Sequence, residues 1–206
     1  MSPLKITTTR PAPLTRNISW YKSTCLSLVL ICDVQYRKFM TDPSITDYDK
    51  ARKLLIGNHQ WYLPCFHKSM TNSLLTSIEK SKPWNKSYSH CNTFEDIYSD
   101  VESWLKCKYI NQLTIYDVAL RIAVILNNPA LMPKDYVYVH AIPLQEYKKL
   151  VKRGFSFPKL SKEDKVPYSK MSPFFGGLNA REIEDLLCHM GKGLVGKTLT
   201  KPVSCP

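Results

Sequence analysis

The sequence predicts a mainly α fold: a compact helical domain with one αα-hairpin and one short extended segment, carrying basic, flexible termini. Apolar residues recur at helical spacing along most of the chain, capping residues stand ahead of several of these runs, and only residues 136–141 alternate as a strand would. With 206 residues, 44% hydrophobic and 11% aromatic, the chain has enough apolar side chains to bury a core. The expected organisation is a flexible basic arm over 1–16, a single helical domain over 17–190 and a basic C-terminal tail over 191–206.

Residues 1–16 mix Thr, Pro and basic residues without apolar periodicity, which gives the arm. From Ser19 to Met40 the spacing of Trp20, Leu26, Leu28, Leu30, Ile31, Val34 and Phe39 suits a buried helix, although the β-branched centre also allows a strand. Pro43 closes that element. Thr46 can cap a helix bearing Tyr48, Ala51, Leu54 and Leu55 that ends at Gly57. A further helical pattern runs through Met70, Leu74, Leu75 and Ile78 and stops before Pro83, and residues 81–92 read as a loop.

Thr93-Phe-Glu-Asp96 has the form of a capping box with Asp in place of Glu, and Phe94, Ile97, Val101, Trp104 and Leu105 follow at helical spacing. After a short link, Thr114-Ile-Tyr-Asp117 repeats the cap pattern ahead of Ile115, Val118, Ala119, Ile122, Ala123, Ile125 and Leu126, so a helix–turn–helix pair is expected here. Residues 136–141 form the extended segment. Pro143 at the first helical position begins a helix through Val151 that ends at Gly154. A Pro- and Lys-rich loop comes next. Asn179 caps the last helix, residues 180–190, and Gly191 stops it.

The net charge of +12 and the pI near 9.3 favour an anionic partner. The charge is concentrated: residues 1–16 and 186–206 carry +3 each and residues 143–170 carry +5. Seven cysteines at irregular spacing make an odd count, so reduced thiols are expected and a disulfide scaffold is not. The longest apolar run, residues 26–32, is far short of the roughly 20 residues that span a bilayer, which points to a cytoplasmic protein without a membrane segment.

Four patterns bear on chemistry. Gly191-Lys-Gly-Leu-Val-Gly196-Lys197-Thr198 satisfies the phosphate-binding-loop pattern. Such a loop must leave a strand and open a helix, whereas here a helix precedes it and eight residues follow, so it reads as a helix stop. Cys65, His67, His90 and Cys91 lie close in sequence without the spacing of a structural zinc site; no cofactor is expected, and zinc at these four is the one candidate. The helix pair resembles a helix-hairpin-helix module, but its link, Lys108-Tyr-Ile-Asn-Gln112, has no glycine to let the backbone approach phosphate, so a structural hairpin is expected. Within that pair's second helix Asp117 and Arg121 lie four apart on one face, and these two with His140 are the candidate catalytic residues.

The fourth pattern is the basic stretch. Lys148, Lys149, Lys152 and Arg153 fall on one side of a helix whose other side is apolar. Lys159, Lys162, Lys165 and Lys170 continue the charge, interleaved with Phe155, Phe157 and Tyr168, which could stack on unpaired bases. Three blocks, Leu113-Thr-Ile-Tyr-Asp-Val-Ala-Leu-Arg-Ile122, Tyr136-Val-Tyr-Val-His-Ala141 and Arg181-Glu-Ile-Glu-Asp-Leu-Leu-Cys188, resemble a set of uncharacterised bacterial proteins across the C-terminal half. That resemblance implies no activity and no catalytic residue. Nucleic-acid binding through the phosphate backbone, with low sequence specificity and carried by Lys148, Lys149, Lys152, Arg153, Lys159 and Lys162, is therefore the leading expectation. An enzyme acting on nucleic acid or nucleotides and a protein-interaction or regulatory adaptor are the alternatives.

Overall fold

The computed structural model describes residues 12–56, 68–105, 110 and 112–199. The fold is mainly helical. In chain order it comprises α1 (Ala12–Trp20), a π-helical turn (Tyr21–Cys25), α2 (Leu26–Thr41), α3 (Asp47–Ile56), α4 (Lys68–Ser81), α5 (Phe94–Trp104), α6 (Gln112–Leu126), β1 (Tyr136–Tyr138), α7 (Ala141–Lys152), β2 (Lys165–Pro167), α8 (Tyr168–Met171) and α9 (Ala180–Gly191). Two compact units result: a terminal unit from residues 1–27 and 135–201, and a central unit from 28–134 and 202–206. No helix among the described residues is long and apolar enough to cross a membrane.

The central unit packs α3 against α4 and α6, and α5 against α6, the last pair being the expected αα-hairpin. Phe94, Ile97, Val101 and Leu105 on α5 meet this need with one buried face, while α6 is buried nearly all round through Ile115, Val118, Ala119, Ile122 and Ala123. The α5 cap is as expected: Thr93 Oγ1 accepts from the Asp96 amide at 3.2 Å, and Asp96 accepts from the Asn92 and Thr93 amides at 2.8 and 2.9 Å. Those backbone hydrogen bonds hold the Asp96 carboxyl below its usual range. Thr46 likewise accepts from the Asp49 amide and starts α3. The second Thr-x-x-Asp is not a cap: α6 begins at Gln112, and Thr114 is buried inside the helix, at the start of its buried run.

In the terminal unit, Leu14, Ile18, Tyr21 and Cys25 join Val137 and Val139, Tyr147 and Leu150, and Ile183, Leu186 and Leu187 in one apolar core. The two strands pair antiparallel, with Val137 opposite Val166, and α7 packs on α9. Gly191 permits that packing, since a Cβ there would lie 2.5 Å from Ile142 Cγ2 and 3.3 Å from its carbonyl oxygen. α9 opens on the expected cap, in which Asn179 accepts from the Glu182 amide at 2.9 Å and Glu182 accepts from that of Asn179.

Several expectations change. Of the expected arm, residues 12–16 are helical, because α1 starts at Ala12 and Leu14 is buried in the core, and residues 1–11 lie outside the described residues. Part of the C-terminal tail is packed as well: Val195 and Leu199 lie against the core, and Trp20 Nε1 donates to the Lys197 carbonyl at 3.1 Å. The 19–40 element is helical throughout, but its apolar centre is not buried, and Leu30, Ile31 and Val34 are exposed. α7 begins at Ala141, with Pro143 inside its first turn, where its missing amide costs no intrahelical bond. Cys25, Cys32 and Cys91 are free thiols, whereas Cys188 is in a disulfide, so the thiols are not all reduced. An odd, irregular count argues against a scaffold and leaves a single bridge open.

Candidate nucleic-acid interface

α7 turns Pro143, Glu146, Tyr147 and Leu150 inward and leaves Lys148, Lys149, Lys152 and Arg153 exposed. Gly154, at φ +92°, ends it in a conformation that favours glycine. Lys149 Nζ lies 3.1 Å from Oε2 of the buried Glu146, so its charge is already engaged. Lys148, Lys152, Arg153, Lys159 and Lys162 are exposed and form no ion pair among the described residues. Lys165 is half-buried, sits 4.9 Å from the Tyr136 ring centroid and pairs with Glu163 at 3.7 Å.

The aromatic residues among these lysines are not stacking platforms. Phe155 is buried, Phe157 packs against Phe155 and against Phe174 at centroid distances of 5.3 and 5.0 Å, and Tyr168 Oη donates to the Leu178 carbonyl at 3.1 Å. A Pro-rich loop reads as surface in sequence, but here its apolar rings fill the space beside α7.

Charge divides unevenly between the units. Among the described residues the terminal unit has thirteen Lys/Arg against seven Asp/Glu, and the central unit has eleven against ten. Burial sharpens the contrast. Ten of the terminal unit's thirteen cations are exposed, whereas of its acids only Asp135 and Glu163 are exposed and Glu146, Glu184 and Asp185 are buried.

The candidate catalytic residues are not brought together within one unit: Asp117 and Arg121 belong to the central unit and His140 to the terminal one. Arg121 Nη1 donates to the carbonyls of Leu54 and Leu55 at 2.8 and 3.1 Å, and Nη2 lies 3.6 Å from Asp117 Oδ2. It thus satisfies carbonyls that the end of α3 leaves without intrahelical partners. His140 precedes α7 and is buried; burial pulls its pKa down to about 4 against the opposing charge of Asp164, so the ring is neutral at neutral pH.

Of the four metal candidates, Cys65 and His67 lie outside the described residues. His90 stacks on Tyr88 with centroids 6.3 Å apart, and burial raises the Cys91 thiol above its usual range. No group of three or more His, Cys, Asp or Glu among the described residues is placed to hold a metal. The phosphate-loop look-alike follows α9 directly, with no strand before it, and its glycines 193 and 196 adopt positive φ.

One cluster has no counterpart in the sequence patterns. Tyr21 Oη donates to Asp185 Oδ2 at 2.8 Å, and His189 Nδ1 lies 2.8 Å from the Asp185 carbonyl and 3.3 Å from Oδ1. Burial of the His189 ring lowers its pKa, but hydrogen bonds with Asp185 and Cys25 and the Asp185 charge outweigh this and raise it to about 10. Burial and the Asp185 charge hold the Tyr21 phenol protonated. Asp185 and His189 at i and i+4 on α9 could have been noticed; Tyr21, 164 residues away, could not.

No family model matches the chain, and neither a curated protein nor a solved structure does.

Proposed function

We propose that this protein binds nucleic acid through the phosphate backbone, with low sequence specificity, and that the terminal unit carries the contact surface. The carrying observation is the separation of charge in that unit: ten of its thirteen cations are exposed while three of its seven acids are buried. The contact residues are Lys148, Lys152, Arg153, Lys159 and Lys162, with Lys149 contributing less because Glu146 holds it.

The experiment is fluorescence anisotropy against labelled DNA and RNA over a salt series. Replacing Lys148, Lys152 and Arg153 together by Ala should flatten the slope of log affinity against log salt by about 2.7, at about 0.9 per lost duplex phosphate contact. Lys149 stays, since its removal would leave Glu146 buried beside no cation and confound binding with stability. An unchanged slope with the fold intact removes this surface from consideration.

A second reading, a protein-interaction adaptor, is favoured by the exposure of Leu30, Ile31 and Val34 along α2. Binding to a protein partner that survives high salt and is lost in Leu30→Ser/Ile31→Ser, together with no binding to nucleic acid, would select it.

A further inference from the structure

The partner's strandedness follows from where the terminal unit keeps its rings. Proteins that hold single strands combine a cationic groove with exposed aromatic faces on which unpaired bases stack, each stacked base contributing about five- to 150-fold in affinity. Residues 1–27 and 135–201 contain ten Phe, Tyr and Trp, and all ten are described. Five are buried and none is exposed.

The half-buried five are engaged. Trp20 donates to the Lys197 carbonyl and lies 5.9 Å from the His189 ring, Tyr136 is covered by Lys165, and Tyr168 is tied to the Leu178 carbonyl. Phe157 and Phe174 pack edge to face on each other at 5.0 Å. Among the described residues of the unit, ten Lys and Arg stay exposed, against two exposed acids, Asp135 and Glu163.

We infer that the partner is double-stranded nucleic acid, read as a polyanion. A duplex presents one negative charge per about 1.7 Å of axis and a single strand about half that density, so a cationic surface without stacking favours the duplex. The helical cations suit this partner, because α7 fixes the backbone of Lys148 and Lys152 about one turn apart, with Arg153 next in the chain at its C-cap. This inference rests on the nucleic-acid reading above.

The test titrates the full-length protein against labelled oligo-dT and against the matching dA·dT duplex, by anisotropy between about 50 and 200 mM salt. With five phosphate contacts the duplex affinity should fall about 500-fold across that range and a single strand's about 130-fold. The duplex should also bind at least about threefold tighter at the low-salt end. A ratio below that, or a preference for oligo-dT, overturns the inference while leaving the nucleic-acid reading in place. Binding to neither probe at low salt overturns both.

Discussion

Arg121→Met separates a structural from a catalytic role for the central unit's charged pair. The substitution keeps most of the side chain's length and apolar stem and removes the guanidinium. Two carbonyls at the end of α3, those of Leu54 and Leu55, then lose a charged donor at 2.8 and 3.1 Å. A hydrogen bond to a charged group contributes about 1.5–3 kcal/mol. The change also withdraws the cation 3.6 Å from Asp117, whose side chain is only 11% exposed, and breaking a buried pair costs about 3–5 kcal/mol. These terms overlap, since one guanidinium makes all three contacts, and the expected loss is about 3–5 kcal/mol. The thermal unfolding midpoint of the full-length chain, followed by circular dichroism, should drop by about 6–20 °C. Asp117→Asn should cost less, and the double variant less than the two single losses together, because both changes remove the same ion pair. A midpoint for Arg121→Met within about 2 °C of the parent would refute the reasoning and return both residues to the list of catalytic candidates.

Two further outcomes follow from the terminal unit. The folded pKa of His189, about 10, lies above the unfolded value of about 6.5, so its contribution to stability is complete below pH 6.5 and is lost as pH rises through 10. Denaturant titrations of the parent and His189→Gln should therefore converge between pH 6.5 and 10, and a gap that does not change with pH would contradict the imidazolium assignment. Gly191→Ala should cost about 1–3 kcal/mol by forcing Ile142 away from the α7–α9 contact, measured as a lower denaturant midpoint; no loss would mean that the contact is not close-packed.

Local chemistry was legible from the sequence wherever a short pattern has one physical solution. Thr93 with Asp96, and Asn179 with Glu182, satisfy orphan amides at distances any helix start imposes, so both caps could be read from four residues. Thr114 with Asp117 has the same spelling and a different fate, because what decides a helix start is also which face the core requires. Burial was less legible. The run from Leu28 to Val34 is among the most apolar in the chain and yet leaves Leu30, Ile31 and Val34 exposed, while charged Glu146, Glu184 and Asp185 are buried. Hydropathy records what a side chain prefers; its neighbours in three dimensions decide what it gets. Phe155 and Phe157 show this for the interface, since their position among lysines in sequence suggested stacking on bases and their position in space fills a core.

The basic surface has a structural cause that must be weighed against the proposed use. Lys149 and Lys152 lie in the last turn of α7, where cations meet the negative end of the helix dipole, and would be favoured there with no ligand at all. That account covers one turn of one helix. It does not reach Lys159 and Lys162, which lie beyond α7 and outside any helix. Nor does it explain the fate of the acids. Glu146 is taken up by Lys149, and Asp185 by Tyr21 and His189, so neither is left to neutralise the exterior. Surface charge that served solubility alone would be met by mixing both signs. Ten exposed cations against two exposed acids in the terminal unit is therefore the observation on which the proposed polyanion contact rests.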